Sequence, residues 1–455
     1  MILAVFGQTP AGIRTGLILT TSATTVATYL LGARLGGSAL GVAAAAVFAA
    51  LSLNPKMLGI AAYAEHFALL PVVAGALVLW RGGRERRPIS LLTCGILFGL
   101  GLLIRQSAAL FVIGAVAYLL VARGDGIAEH PRVGRLGAIA VFSQAPPRRW
   151  RSPAWRSGPP GLSKPFGSGC SRTRATTRPT RRRAGATSSA RSARWRRPRR
   201  WCCALAAVGL GAAIRDPNRD RRTFVVAFTA SAVLGTMMGL QFRLHYFLLA
   251  VPALAMLSGI GLVALGGLLA TQPPRALRWA LPCTLGLVAL AQPLYASRAV
   301  LFELGPGQIS RAIYGRNPFP ESVEVARYIR EHSAAGDRVA VVGSEPQIYF
   351  YSARRSATGY IYTYPLMELQ PYAPAMQREM IKEIEAAAPR FLVFVSATSS
   401  WIVRPGSDRD DLRLVRGLSA RLHTGRCRRH PSTAGRPCID GVTRRPATHH
   451  GPMSG

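Results

Sequence analysis

Acid is scarce in this chain. Its 455 residues hold 20 Asp plus Glu against 57 Lys plus Arg, and no Asp or Glu precedes Glu65. No CxxC pair occurs among the seven cysteines, Cys94, Cys170, Cys202, Cys203, Cys283, Cys427 and Cys438, so neither a zinc site nor a disulfide framework is indicated. No P-loop, GxGxxG, HExxH or GxSxG stands in a supporting context, which removes the common nucleotide, metalloprotease and serine-hydrolase readings. Matching internal repeats are also missing, which speaks against a repeat-built transporter.

The net charge of +37 would suggest a nucleic-acid partner if it were spread over the whole chain. It is not. Residues 143–200 carry 17 Lys plus Arg and no acid, and the tail from 421 has Asp440 as its only acid. Removing both stretches removes most of the excess, so no specific nucleic-acid partner is expected. The stretch 143–200 has neither helical nor strand periodicity and is rich in Pro, Gly, Ser and Arg. It reads as a disordered basic loop or, preferably, as out-of-frame translation of a GC-rich gene. The tail 421–455 has the same texture.

What the chain has in abundance is apolar sequence. Runs at about 13–34, 38–54, 66–80, 89–104 and 107–122, then 201–214, 224–240, 246–269 and 278–297, are apolar on all sides. Several approach the roughly 20 residues needed to cross a bilayer. No cleavable signal peptide is evident. The loops at 81–87, 215–222 and 273–278 are Arg-containing and should be cytoplasmic. Alternation then places the 54–66 loop, Arg105, the Arg243–Tyr246 segment and everything after about 300 on the outer face. Small residues in 36–46 and 255–267 suit close helix packing.

Residues 320–400 read as a soluble α/β layer with at least partly parallel strands. PESVEVARYIREH is an amphipathic helix, RVAVVG (338–343) a buried strand and PQIYFYS (346–352) a short helix or strand. TGYIYTY (358–364) is expected to be a strand, QREMIKEIEAAAP a helix, and RFLVFVS (390–396) a further strand. The expected domains are membrane helices over 1–142, the basic segment 143–200, membrane helices over 201–300, an outer-face α/β domain over 301–420, and the tail 421–455.

Several polar residues stand out against this background. Glu65 and His66 lie in an outer loop at the start of a span, and Glu65 could position an acceptor or assist a base. The plain alternative is a helix-start acid beside an interfacial histidine. Arg105 and Gln106 interrupt an apolar hairpin, and an ionisable group at membrane depth is a functional candidate unless it snorkels. Arg243, His245 and Tyr246 could meet a phosphate or form an interfacial anchor. Glu345, Tyr349, Tyr351 and the pair Arg354-Arg355 follow the first strand, where ordinary turn polarity is the stronger reading.

FRLHYFLLAVPALAMLSGIGL (242–262) resembles a segment of polyprenyl-phosphate-dependent membrane glycosyltransferases. So do AYAEHFALLP (62–71) and GLLIRQSAALF (101–111), while 325–364 resembles the outer-face α/β domain of the same bacterial proteins. These are similar to protein O-mannosyltransferases, the lipid A aminoarabinose transferase and lipopolysaccharide galacturonosyltransferases, which share the GT-C architecture. The resemblance implies a polytopic α-helical protein of the bacterial inner membrane with a small periplasmic α/β domain. It implies a polyprenyl-phosphate-linked sugar as donor and a cell-envelope acceptor. It also implies that Arg105 or Arg243 stabilises the departing phosphate. No organic cofactor is implied; a divalent metal is compatible with such sites, but no ligand cluster is apparent.

In such relatives an acid in the first outer loop activates the acceptor. The chain is expected to start after the helix that precedes that loop, so this base has no counterpart and Glu65 is the remaining catalytic candidate. A non-enzymatic, membrane-anchored glycan- or partner-binding protein is the alternative.

Overall fold

The computed structural model describes residues 5–85, 87–122, 137, 142, 200–240, 242–269, 277–401 and 442–444. The basic segment 143–199 and most of the tail lie outside them, so the out-of-frame reading is neither supported nor opposed. The chain divides into two compact units, with the boundary between Glu303 and Leu304.

The first unit is helical. Its elements are α1 (Pro10–Gly36), α2 (Ser38–Ser52), α3 (Ala64–Glu85), α4 (Pro88–Ile104), α5 (Ala109–Val121), α6 (Arg200–Ile214), α7 (Arg219–Met237), α8 (Val251–Leu269) and α9 (Leu277–Arg298). Each apolar run in the sequence corresponds to one of them. By length and composition, Pro10–Gly36, Ala64–Gly82, Leu244–Leu268 and Cys283–Glu303 can cross a membrane, and four shorter apolar helices accompany them. Large apolar side chains such as Ile18, Ile113 and Leu287 remain exposed on this unit. That exposure suits lipid and would be costly in water. The chain is an integral membrane protein.

Helix α1 shows how a polar sequence is made compatible with lipid. Thr9 caps it by accepting the Gly12 N–H at 3.0 Å, and Pro10 occupies the first turn. The hydroxyls of Thr20, Thr24, Thr25 and Thr28 each donate to the carbonyl four residues back, at 2.7–2.9 Å. No hydroxyl in that row is left to seek water.

Small residues set the closest helix contacts. A Cβ on Gly261 in α8 would sit 2.1 Å from the Leu205 carbonyl oxygen, and one on Gly209 in α6 only 1.8 Å from that of Leu257. A Cβ on Gly32 in α1 would lie 2.9 Å from the Gly41 Cα in α2. These are backbone-on-backbone approaches that no other residue permits.

One end of the bundle is tied by neutral and surface-charge contacts. Trp80 Nε1 donates to the Arg34 carbonyl at 3.2 Å, and Arg221 reaches the Leu35 carbonyl at 3.2 Å. Arg221 also pairs with Asp216, whose other carboxylate oxygen accepts the Asn218 N–H at 2.8 Å. Asn218 in turn caps α7 through the Arg221 N–H at 2.9 Å. This end gathers the α1–α2 turn with the Arg-containing last turns of α3 and the Arg-rich segment that follows α6.

The second unit is a doubly wound α/β layer. Helices α10 (Pro306–Tyr314) and α11 (Phe319–Glu331) precede β1 (Arg338–Val342). Then follow α12 (Gln347–Ser352), β2 (Arg355–Ser356), α13 (Tyr364–Met367), α14 (Ala373–Ala387), β3 (Phe391–Phe394) and β4 (Val442–Arg444). The sheet order is β2-β1-β3-β4, with β2, β1 and β3 parallel and β4 antiparallel to β3. Val339, Val341, Phe391 and Val393 face α11 and α12, while Ala340, Val342 and Leu392 face α13 and α14. Both faces of β1 and β3 are covered, hence their unbroken apolar sequence.

Two expectations are corrected here. TGYIYTY is not a strand. Its amides are taken by side chains instead of a ladder: Thr358 by Ser356 Oγ, Gly359 by Glu383, Tyr360 by Thr358 Oγ1 and Thr363 by Ser344 Oγ. The β-forming residues Tyr, Ile and Thr are overridden by these local acceptors. The strand lies earlier, at Arg355–Ser356. Within the tail expected to be disordered, Val442–Arg444 pairs with β3, whose outer edge would otherwise leave backbone groups unpaired.

Gly343 ends β1 with φ +154°, and a Cβ there would meet Val395 at 2.8 Å and the Ser400 hydroxyl at 2.9 Å. Glu345 follows, 3% exposed, bonded to Gln347. Burial pushes its carboxyl above the ordinary value, while bonds to Gln347 and Ser400 pull the other way.

Substituting Gly261 by Leu should cost about 3 kcal/mol or more, because backbone must move to admit the side chain. A fall of many degrees in the thermal midpoint of the detergent-solubilised protein would show it; an unchanged midpoint would refute the packing. The raised Glu345 carboxyl has a definite sign. The folded state binds this proton more tightly than the unfolded chain does. Its stabilisation is full below the unfolded value of about 4.3 and is lost as pH rises through the folded value. Opening free energies of Val339–Val342 from amide exchange in the intact protein should therefore fall with rising pH in that window, and Glu345→Gln should flatten the fall.

Candidate functional site

The other end of the bundle is built from three breaks between helices. The first, between α2 and α3, runs through a 3-10 turn at Pro55–Met57. The buried Asn54 carbonyl accepts the Met57 and Gly59 amides, each at 3.1 Å. Leu58 takes φ +58°, and Gly59 is required because a Cβ there would lie 1.9 Å from the Ser52 carbonyl oxygen. The chain then enters α3 with the Tyr63 carbonyl accepting the His66 amide at 3.1 Å. Glu65 thus falls in the first turn of α3, where the helix dipole favours a negative charge. It is 0% exposed.

The second break is Arg105. Its backbone is extended between α4 and the 3-10 turn Gln106–Ala108, and both of its backbone groups are satisfied, to the Gly101 carbonyl at 2.9 Å and from the Ala108 amide at 3.0 Å. The third break precedes the 3-10 helix Leu244–Ala250. Gly239, Leu240 and Phe242 have φ of +83°, +51° and +45°. For the two non-glycine residues this costs about 1–2 kcal/mol each, an expense usually found where a segment has to be aimed.

These breaks converge. Arg105 Nη2 lies 3.0 Å from Glu65 Oε1, and the Arg105 guanidinium sits 4.5 Å above the Tyr246 ring. His245 Nε2 lies 3.9 Å from the same Glu65 oxygen. The His245 ring stacks on Tyr63 at 4.3 Å, and Tyr246 meets it edge-on at 4.8 Å. The rings of Tyr63, His245 and Tyr246 and the Arg105 guanidinium thereby gather beside a buried carboxylate. Arg243 is exposed and acts electrostatically on His245 without entering the ion pair. Gln106 is exposed in the adjoining turn.

The structure therefore brings Glu65, Arg105, His245 and Tyr246 together, and sets Arg243 and Gln106 at the margin. His66 is 3% exposed, and its ring Nε2 is buried without a hydrogen-bond partner. Tyr63 escaped the sequence reading. An aromatic two residues before the only early acid was the available signal, but tyrosine at a membrane interface has a mundane explanation. Arg354 is occupied structurally: it donates to the Arg330, Ser333 and Ser352 carbonyls and to the Ser333 hydroxyl. Tyr349 is likewise engaged, its hydroxyl receiving the Val341 amide at 2.9 Å.

Polar satisfaction at this end is incomplete. Both Glu65 oxygens, His66 Nε2, Arg105 Nε and Ser107 Oγ are buried without a hydrogen bond of normal geometry. The ion pair compensates charge at Glu65, but not every lone pair. Such atoms cost about 1–3 kcal/mol each unless something meets them. Among the described residues no three His, Cys, Asp or Glu side chains gather as metal ligands. The donor set at Glu65, one carboxylate already paired to a guanidinium, does not suit a divalent cation, which prefers several free oxygens.

Comparison with known proteins bears on residues and on fold. Residues 1–150 match the family described as dolichyl-phosphate-mannose-protein mannosyltransferase. No curated protein matches the chain. Among solved structures, ArnT from Cupriavidus metallidurans, bound to undecaprenyl phosphate, aligns over 99% of this chain and 87% of its own, with 15% identity and a TM-score of 0.54. The oligosaccharyltransferase of Archaeoglobus fulgidus aligns at 11% identity and a TM-score of 0.47, over 85% of this chain. The chain spans 58% of that enzyme's length. The polytopic helical unit, the small α/β layer and the match to ArnT together show that the chain has a GT-C fold.

Proposed function

We propose that the chain is a glycosyltransferase that moves a sugar from a polyprenyl-phosphate donor to a hydroxyl of a cell-envelope acceptor, at the outer face of the inner membrane. The observation that carries the reading is the buried Glu65–Arg105 pair, walled by Tyr63, His245 and Tyr246 at a single end of the membrane unit. A buried ion pair is a poor source of stability, since desolvation offsets most of its attraction. Its retention beside unsatisfied polar atoms is better explained by work on a ligand.

The chemistry follows from the charges. The acceptor oxygen attacks the anomeric carbon, its proton passes to a base, and the bond from that carbon to the donor's phosphate oxygen breaks. Arg243, exposed beside His245, meets the lipid phosphate and its growing charge. Arg105, 3.0 Å from Glu65 Oε1, pairs with the carboxyl and holds it in place. Glu65 is the carboxylate available to orient the acceptor hydroxyl or take its proton. That ArnT was solved with undecaprenyl phosphate supports a lipid phosphate as the donor's carrier here.

The outer-face assignment rests on charge asymmetry. The Arg-rich segments 81–87 and 215–222 flank the end opposite the site, and such segments are retained in the cytoplasm. A second reading is a non-enzymatic, membrane-anchored protein that binds a glycan or a partner, with the Glu65 carboxylate already engaged by Arg105.

The test is transfer of a labelled sugar from undecaprenyl-phosphate donors to envelope acceptors in membranes containing the protein. Arg243→Ala should raise the donor KM about tenfold, and Glu65→Gln should lower kcat about a hundredfold with protein abundance unchanged. Donor binding without any turnover would favour the second reading. Sidedness is checked separately, with the native cysteines changed to serine. A membrane-impermeant maleimide applied to intact cells should label Ala335→Cys and miss Pro217→Cys; the reverse pattern would put the site in the cytoplasm.

A further inference from the structure

The apolar surface of the α/β unit is unevenly placed. Among its described residues four large apolar side chains stand exposed, Val323, Ile361, Tyr362 and Leu369, each between 42% and 56%. Hydrogen bonds and chain direction put all four at one end of the sheet. Val323 follows Ser322, whose hydroxyl accepts the Gln347 side-chain amide at 3.0 Å, just beyond the end of β1. Ile361 and Tyr362 precede Thr363, whose backbone amide donates to the Ser344 hydroxyl at 3.2 Å, also just past β1. Leu369 lies in the link that opens α14. That helix packs on the sheet and enters β3 through Ala388, Pro389 and Arg390, so its first turn stands at the C-terminal end of the strands. The opposite end is polar. There Asp337 pairs with Arg390 at 3.5 Å, and Arg354 donates to the Ser333 carbonyl at 2.7 Å.

The chain enters this unit at the apolar end. Only Leu304 and Gly305 separate the first unit from α10. Tyr314, closing α10, meets Phe319 edge-on at 4.9 Å, and Arg311 pairs with Glu321, so α10 sits beside the first turns of α11. None of its nine residues is buried. Ile309 and Ile313 fall one turn apart on a single face. Residues 304–319 contain Arg311 and Arg316 and no acid, and Arg316 is exposed. Apolar residues scattered over a wet surface need no explanation, whereas a set confined to one end does. Aliphatic and aromatic side chains beside arginine, with a short helix that has no core face, suit a surface resting among lipid headgroups. We infer that the C-terminal end of the sheet, together with α10, docks on the bilayer surface, with Val323, Ile361, Tyr362 and Leu369 entering the interfacial layer. The end that carries Asp337, Arg354 and Arg390 faces water. Docking requires no sugar transfer, so a failed transferase assay leaves it standing.

The experiment uses the full chain, with its native cysteines changed to serine, in nanodiscs of phosphatidylcholine and phosphatidylglycerol. A fluorescent NBD label is attached to Ile361→Cys, Leu369→Cys or Ala335→Cys, all at exposed positions. Leu287→Cys, exposed on α9, gives the reference for full lipid contact. Lipids carrying a doxyl group near the headgroup should quench the labels at the Ile361 and Leu369 sites about threefold more than the label at the Ala335 site, as shallow insertion of about 5–10 Å requires. Iodide in the water should quench them in the reverse order. Iodide reaching all three sites equally would overturn the docking. Labels shielded from iodide yet untouched by doxyl lipid would mean that protein covers this face, and would overturn it as well.

Discussion

A carboxylate without solvent exposure, at the end of a helix bundle, dictates much of this architecture. Glu65 would be expelled or neutralised by its surroundings unless a cation were brought to it, and Arg105 is that cation, 3.0 Å away. Arg105 can reach it only because α4 stops short and the backbone turns extended for one residue. Glu65 can be there only because Gly59 and the left-handed Leu58 fold the preceding loop tightly under α2. His245 and Tyr246 arrive by way of left-handed residues at Gly239, Leu240 and Phe242. Three separately expensive backbone devices are thus spent on one cluster. Removing Arg105 would strand the acid, a loss of about 3–5 kcal/mol for a buried pair.

The contrast with the opposite end makes the point sharper. There the indole of Trp80 and the guanidinium of Arg221 donate to the carbonyls of Arg34 and Leu35, which α1 leaves free at its C-terminus. Asp216 and Asn218 cap α7, with backbone amides as partners. These contacts complete helix ends and leave little unmet. Around Glu65 the geometry is as closely specified, yet acceptors and donors do not balance. Packing requirements explain the first end. They do not explain the second.

The legible part of this fold was whatever one-dimensional hydropathy encodes. Apolar runs located the helices of the membrane unit to within a few residues, since a segment apolar on every side has few alternatives. The strands β1 and β3 were legible for the same reason, being covered on both faces. TGYIYTY misled because its Tyr, Ile and Thr favour strands in isolation, while the acceptors that capture its amides come from Glu383 and Ser344, distant in sequence. Arg355–Ser356, too short and polar to be noticed, took the ladder instead. At the site, Glu65, Arg105, His245 and Tyr246 were visible one at a time, as polar interruptions of apolar sequence. That they share one cluster was not visible, because convergence depends on the strained turns. Tyr63 was missed because its role appears only once His245 is stacked on it.

The α/β unit offers its own candidate crevice, and the structure argues against chemistry there. Strand order reverses between β1 and β3, the position where ligands enter open α/β sheets, at the C-terminal ends of the strands. Here that position is filled from within. Ser400, on a 3-10 turn after β3, accepts the Ser344 amide at 2.7 Å, and Ser344 and Thr363 bond hydroxyl to hydroxyl at 2.9 Å. Glu345 is held by Gln347, which also reaches Ser322 at 3.0 Å. Gly343 leaves no room even for a methyl group. A ligand would have to displace a satisfied network and bring equivalent partners of its own. Around Glu65 in the membrane unit, by contrast, carboxylate, guanidinium and hydroxyl atoms are buried without hydrogen bonds of normal geometry, which supports the proposal of chemistry there.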